Sequence, residues 1–104
     1  MKEVYIMKFE WDEAKNHINL INHKINFETA VHVFTDPFRI EKYDLEHSIF
    51  EDRYITIGEI EAIPVVVFVV YTERSEYIRI ISARKDNKKE RNQYYVYKKR
   101  NRPQ

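Results

Sequence analysis

Eight consecutive residues, Pro64 to Tyr71 (Pro-Val-Val-Val-Phe-Val-Val-Tyr), are apolar throughout. A strand with one wet face alternates, so this run must be covered on both sides and lie at the centre of a sheet. Its neighbours stand at turn-length spacing. Arg53 to Gly58 alternates before it, and Thr72-Glu73-Arg74-Ser75-Glu76 is a short turn into Tyr77 to Ala83, which carries Ile78, Ile80 and Ser82 on one side. Connections this short make the strands antiparallel. The covering layers must come from the rest of the 104 residues, a length that predicts one small domain over 1–104.

Two helices are predicted ahead of the central strand. Asp12 is placed to cap a helix over Glu13 to Lys24, where Ala14, Ile18, Ile21 and Ile25 form one buried stripe and Lys15, Asn19 and Asn22 a polar face. Phe27, Ala30, Val31 and Phe34 recur at i, i+3, i+4, i+7, and this second helix must stop before Asp36-Pro37. Val4 to Trp11 reads as a strand with Tyr5, Met7, Phe9 and Trp11 on one face, and Phe38 to Leu45 as a weak one. From Asp86 to about Lys99 the chain is a charged helix with Tyr94 and Tyr97 as its main apolar contacts, passing into a basic tail from about 98. The expected order is β-α-α-β-β-β-α, an α+β fold with an antiparallel sheet.

Composition removes whole classes of chemistry. The chain has no Cys, which excludes disulfides, a thiolate nucleophile and Cys-based zinc. One glycine, Gly58, cannot supply a phosphate-cradling loop, and GxSxG is absent. His17 and His23 are six residues apart, off the spacing of a helical ligand pair, so neither a metal nor a cofactor is expected. The N-terminal residues lack the apolar stretch of a signal peptide and no run is long enough to span a bilayer, so a cytoplasmic protein is expected. The net charge of +1 conceals an asymmetry: residues 84–102 hold nine Lys and Arg against Asp86 and Glu90, a balance of +7 that leaves −6 elsewhere. Such a strip attracts phosphates or an acidic protein segment.

What remains is cationic and imidazole groups without a nucleophile: Lys15, His23, His47, Arg53, Arg74, Arg84 and Arg91. RNA cleavage suits that inventory. The substrate's 2′-OH attacks the adjacent phosphorus, so the protein need only accept a proton, neutralise the phosphorane and protonate the leaving oxygen. Arginine fits the second task because its guanidinium stays charged and grips two oxygens. Arg53 at the start of one strand and Arg84 at the end of another are expected to converge on one end of the sheet, with His23 as the titrating group and Lys15 on a flanking phosphate. Lys88, Lys89 and Arg91 are expected to bind RNA. A non-catalytic module that docks nucleic acid or protein through the basic helix remains the alternative.

Two groups of stretches carry a resemblance. The stretches Phe9-Glu10-Trp11-Asp12-Glu13-Ala14-Lys15, Asn19 to Phe27 and Phe34-Thr35-Asp36-Pro37 resemble the N-terminal half of the BrnT toxin family. Asp44 to Ser48, Glu51 to Gly58, Val67 to Arg74, Ile78 to Lys85 and Lys89-Glu90-Arg91 with Tyr94 resemble its C-terminal half. The resemblance implies a RelE-like endoribonuclease toxin that inhibits translation and growth. It also implies a BrnA-type antitoxin partner, with the complex binding its own operator DNA. The family's conserved polar residues fall on Lys15, His23, Arg53 and Arg84, with His47, Glu51 and Arg91 as further members. Where the family shows Lys-His-Gly this chain has Asn22-His23-Lys24, which removes a basic residue and puts a β-carbon on a position expected to be left-handed. A degenerate toxin that serves only as antitoxin partner is the reading those departures favour.

Overall fold

The computed structural model describes residues 7–103. Its elements run β1 (Lys8–Glu10), α1 (Glu13–His23), α2 (Phe27–Ala30), β2 (Ile40–Tyr43), β3 (Tyr54–Ile60), β4 (Val65–Arg74), β5 (Tyr77–Lys85) and α3 (Lys88–Arg100). The fold is α+β, with a five-stranded sheet in the order β1-β5-β4-β3-β2. The apolar run lies in β4 at the middle of the sheet, antiparallel to both β3 and β5. Two features differ from expectation. β1 adds to β5 in parallel, with Phe9 opposite Ile78, so the sheet is mixed. The weak strand expected after the helices is an edge strand, Ile40–Tyr43, antiparallel to β3, so four strands follow the helices, one more than the expected order β-α-α-β-β-β-α counted. The expected strand's residues 4–6, Tyr5 included, lie outside the described residues.

Strand alternation sorts the sheet's two faces. One carries Val67, Val69, Tyr71, Ile80 and Ala83 against Ile25, Phe27, Ala30, Val33 and Phe34. The other carries Ile57 and Val66, with Tyr94 of α3 buried on them. The second predicted helix is present but tightens: after α2 the chain continues as a 3₁₀ turn over Val31–Thr35. That turn passes so close to β3 that a β-carbon on Gly58 would lie 2.7 Å from Val33 Cγ2 and 3.2 Å from Asp36 Oδ2. The lone glycine is therefore where the 3₁₀ turn meets the sheet.

α1 is turned over relative to its sequence pattern. Ile25, just past its end, is buried as expected, but Ile18 and Ile21 are 55% and 54% exposed and Ala14 is exposed. The buried residues of the helix are Asn16 and Asn19. Asn19 Nδ2 donates to the carbonyls of Ile25 (2.9 Å) and Ala83 (2.8 Å), while its Oδ1 accepts the Ala83 N–H (3.2 Å). Asn16 Oδ1 accepts the Phe27 N–H at 2.7 Å, and its amide donates to Glu28. The amides satisfy backbone groups of β5 and of the α1–α2 turn that apolar side chains would strand. Hydrogen bonding therefore decides which face of α1 turns inward.

Candidate active site

β2 and β3 are joined by the loop 44–53, and its ends are pinned. The Asp44 N–H donates to the Arg53 carbonyl at 2.8 Å. Ser48 Oγ donates to the Asp44 carbonyl and accepts the Arg53 N–H at 2.9 Å. Thr72 Oγ1 of β4 donates to the Asp52 carbonyl at 2.6 Å, and Tyr43 OH to the Asp52 carboxylate at 2.8 Å. A loop closed this way holds its side chains on a fixed base.

On that base His47, Ile49, Phe50, Glu51 and Arg53 line a cavity of about 200 Å³. His47 Nδ1–H donates to the nearly buried carboxylate of Asp44 at 3.0 Å, leaving Nε2 without a partner among the described residues. Glu51 stands between two guanidiniums, 4.0 Å from Arg53 and 3.5 Å from Arg74. These contacts are long for ion pairs, so both arginines are held in place yet remain able to take an incoming phosphate. Phe50, beside them, is 99% exposed, and an unburied aromatic next to cations is a platform for a nucleobase. An imidazole, a carboxylate and two guanidiniums are a sufficient set to move two protons and stabilise a phosphorane.

Arg84 is elsewhere and already occupied. β3 and β5 run in the same direction, so the start of one and the end of the other lie at opposite ends of the sheet, correcting the expected convergence. Arg84 is opposite Phe68, which is opposite Ile57, four residues beyond Arg53 and about 13 Å along the strands. Its guanidinium stacks 4.1 Å from the Phe68 ring and grips Glu90 of α3 with two bonds, at 2.9 and 2.8 Å. The Glu90 hydrogen bond raises the Arg84 pKa further. Burial pushes Glu90 up, but Arg84 and the Asn87 N–H outweigh it and leave the carboxyl below its usual range. Lys15 and His23 are exposed on α1, and among the described residues no hydrogen bond or ion pair joins them to the other candidates.

In α3, Lys88 and Lys89 are exposed, whereas Arg91 is tied to Asp86 by bonds of 3.0 and 3.2 Å. Tyr94 is the buried residue of the helix. Its hydroxyl donates to Asp36, whose carboxylate also accepts the N–H groups of Phe38 and Glu59 at 2.8 Å. Tyr97, the second expected anchor, is exposed, because the buried side of the helix points through Tyr94. Lys42, next to Tyr43 in β2, reaches Gln93 of α3 at 3.2 Å and bridges the loop end of the sheet to the basic helix.

Sequence reasoning named His47, Glu51, Arg53 and Arg74 but missed Asp44 as the imidazole's partner and Phe50 as the exposed ring. The available signal was the Asp44/His47 spacing of three in a turn. Among the described residues no helix is long and apolar enough to cross a membrane, and no three His, Asp or Glu side chains are grouped to hold a metal ion. Compared with known families, residues 11–90 match the model described as "Ribonuclease toxin, BrnT, of type II toxin-antitoxin system". No curated protein matches the chain.

Proposed function

The chain belongs to the BrnT ribonuclease toxins of type II toxin-antitoxin systems, and from that membership we propose that it cleaves RNA without a metal ion, at the cavity of the 44–53 loop. The observation that carries this reading is the assembly of His47, Glu51 and Arg53 around one cavity, with Arg74 3.5 Å from Glu51 and Asp44 holding the imidazole. The family supplies the rest of the frame: the substrate is RNA and the partner is an antitoxin protein. A BrnA-type antitoxin and operator binding by the complex rest on the resemblance across Phe9 to Tyr94.

In the proposed reaction, Arg53 and Arg74 exchange their loose contacts with Glu51 for the two non-bridging oxygens of the scissile phosphate. The released carboxylate accepts the proton of the 2′-OH as its oxygen bonds to phosphorus. The P–O5′ bond breaks, and His47 Nε2, in its protonated form, gives a proton to the leaving oxygen. The products end in a 2′,3′-cyclic phosphate and a free 5′-OH, and the guanidiniums stabilise the charge that builds on phosphorus between them. Phe50 stacks on a base next to the scissile bond. Exposed Lys88 and Lys89 hold the strand farther along, reached past Lys42 and Gln93.

An RNA carrying a single 2′-deoxynucleotide at its preferred cleavage position tests the scheme. Cleavage there should be abolished, with the remaining positions still cut. Unchanged cleavage at the deoxy position would show that water or another external nucleophile attacks, and the roles given to Glu51 and His47 would fall.

A further inference from the structure

We propose that the outward face of α3 carrying Lys89, Gln93, Val96, Tyr97 and Arg100 is the docking surface for the antitoxin, which meets it with an apolar anchor flanked by carboxylates. The inference rests on the toxin reading only in taking an antitoxin as the partner. These positions recur at i, i+4, i+7, i+8 and i+11, one side of a helix. Tyr94 marks the opposite side: it is fully buried on the sheet, and Val96, about 200° farther around the helix, stands 50% exposed. Gln93 fixes where the face looks. Its side chain accepts a hydrogen bond from Lys42, at the end of the sheet that carries the 44–53 loop, whereas Tyr95 on the other flank donates to Glu59, farther along β3. Asn92, Gln93, Val96, Tyr97 and Arg100 line an open hollow of about 350 Å³.

Charge identifies the occupant. Three of the carboxylates on or bonded to the helix are each held by a cation: Glu90 by Arg84 at 2.8 Å, Asp86 by Arg91 at 3.0 Å and Glu59 by Lys98 at 3.3 Å. The fourth, Asp36 under Tyr94, bonds neutral donors and keeps its charge. Against it stand Lys88, Lys89, Lys99, Arg100 and Arg102, exposed and without an ion pair among the described residues. The face is therefore cationic with every carboxylate counted as ionised, and it takes carboxylates or phosphates. Val96 decides between them. An aliphatic side chain gives a nucleic acid neither a ring to stack on nor a donor, whereas an apolar centre ringed by polar and charged groups is the anatomy of a protein interface. A second copy joined face to face would set these cations against their own kind. Lys89 also holds RNA in the proposed reaction, so antitoxin and RNA compete for the helix.

The test titrates the purified full chain with the purified product of the reading frame adjoining its gene, by calorimetry, and repeats the titration with an RNA made uncleavable by 2′-deoxy substitution. Val96→Ala should weaken antitoxin binding about tenfold while RNA affinity stays within about twofold, and Lys99→Glu/Arg100→Glu should weaken antitoxin binding at least about 100-fold. Unchanged circular dichroism confirms that these exposed substitutions leave the fold intact. Antitoxin affinity within about threefold of wild type in both variants would overturn the proposal, as would a wild-type chain that does not bind the product. Loss of RNA affinity in Val96→Ala with antitoxin affinity kept would overturn it by assigning the face to nucleic acid. So would a wild-type chain that sediments as a dimer at micromolar concentration and becomes monomeric in the variants, which would assign the face to a second copy. A chain that binds the antitoxin through Val96 and Arg100 but neither binds nor cleaves RNA would keep the interface and remove the ribonuclease mechanism alone.

Discussion

Lys24 ends α1 with φ 62° and ψ 25°, a left-handed conformation that costs a residue with a β-carbon about 1–2 kcal/mol. The position was legible from the Asn22-His23-Lys24 departure, because the glycine of the family's Lys-His-Gly step marks a left-handed helix stop. Lys24→Gly should therefore raise unfolding free energy by about 1 kcal/mol in denaturant titration, and a destabilised variant would contradict the strain. The arginines separate in the same way. Arg53→Ala and His47→Ala should each lower cleavage about 10² to 10³ fold with the fold intact, the scale of losing one positioned group. Arg84→Ala should act through Glu90 and α3, lowering thermal stability more than the chemical rate. The sequence could name both arginines, and the short connections already imply that β3 and β5 run the same way on either side of β4, which puts the start of one and the end of the other at opposite ends of the sheet; the expected convergence overlooked that consequence.

At the scale of elements, α3 is a polar helix fixed by very few residues. Tyr94→Ala removes a fully buried ring and leaves Asp36 with an unfilled bond, so it should cost about 3 to 5 kcal/mol, while Tyr97→Ala should fall within about 1 kcal/mol of wild type. Glu90 adds a pH dependence. Its folded pKa lies below the usual 4.5, so its contribution is present above that value and lost as pH falls through the depressed one. Thermal unfolding between pH 6 and about 3 should show α3's anchorage weakening in acid, less steeply in Glu90→Gln. The helix itself was legible from its charge run and from Tyr94. α1 was legible in extent but not in orientation, since periodicity finds the stripe without saying which side the backbone groups of β5 will claim. Reversing Lys88 and Lys89 to Glu should flatten the salt dependence of RNA binding, by roughly 0.7 in slope per lost contact on a single strand. An unchanged slope would confine phosphate binding to the loop.

Over the whole molecule the central strand, its two antiparallel neighbours and the α+β class could be read from one apolar run and its turns. The parallel pairing of β1 could not, because its partner lies nearly seventy residues away and three residues carry too little pattern to announce a register. The tyrosines tie the sheet to the alkaline limb of stability. Burial, with Glu41 and Glu73 nearby, pushes the Tyr71 hydroxyl up to about 12, and burial and the Asp36 hydrogen bond raise Tyr94 as well. Because the folded value exceeds the ordinary 10.0, Tyr71's contribution is complete below pH 10 and is lost as pH rises through 12.

The loop 44–53 unites the scales: pinned by backbone bonds at the end of the sheet, it brings an imidazole and a carboxylate to one cavity beside two guanidiniums. The decisive measurement is single-turnover cleavage of a defined RNA in excess chelator, comparing the wild-type chain with Arg53→Ala and His47→Ala. The account predicts wild-type cleavage unaffected by chelator, products ending in 2′,3′-cyclic phosphate, and both variants slowed about 10² to 10³ fold. Cleavage restored only by a divalent ion, or variants within about threefold of wild type, would contradict it.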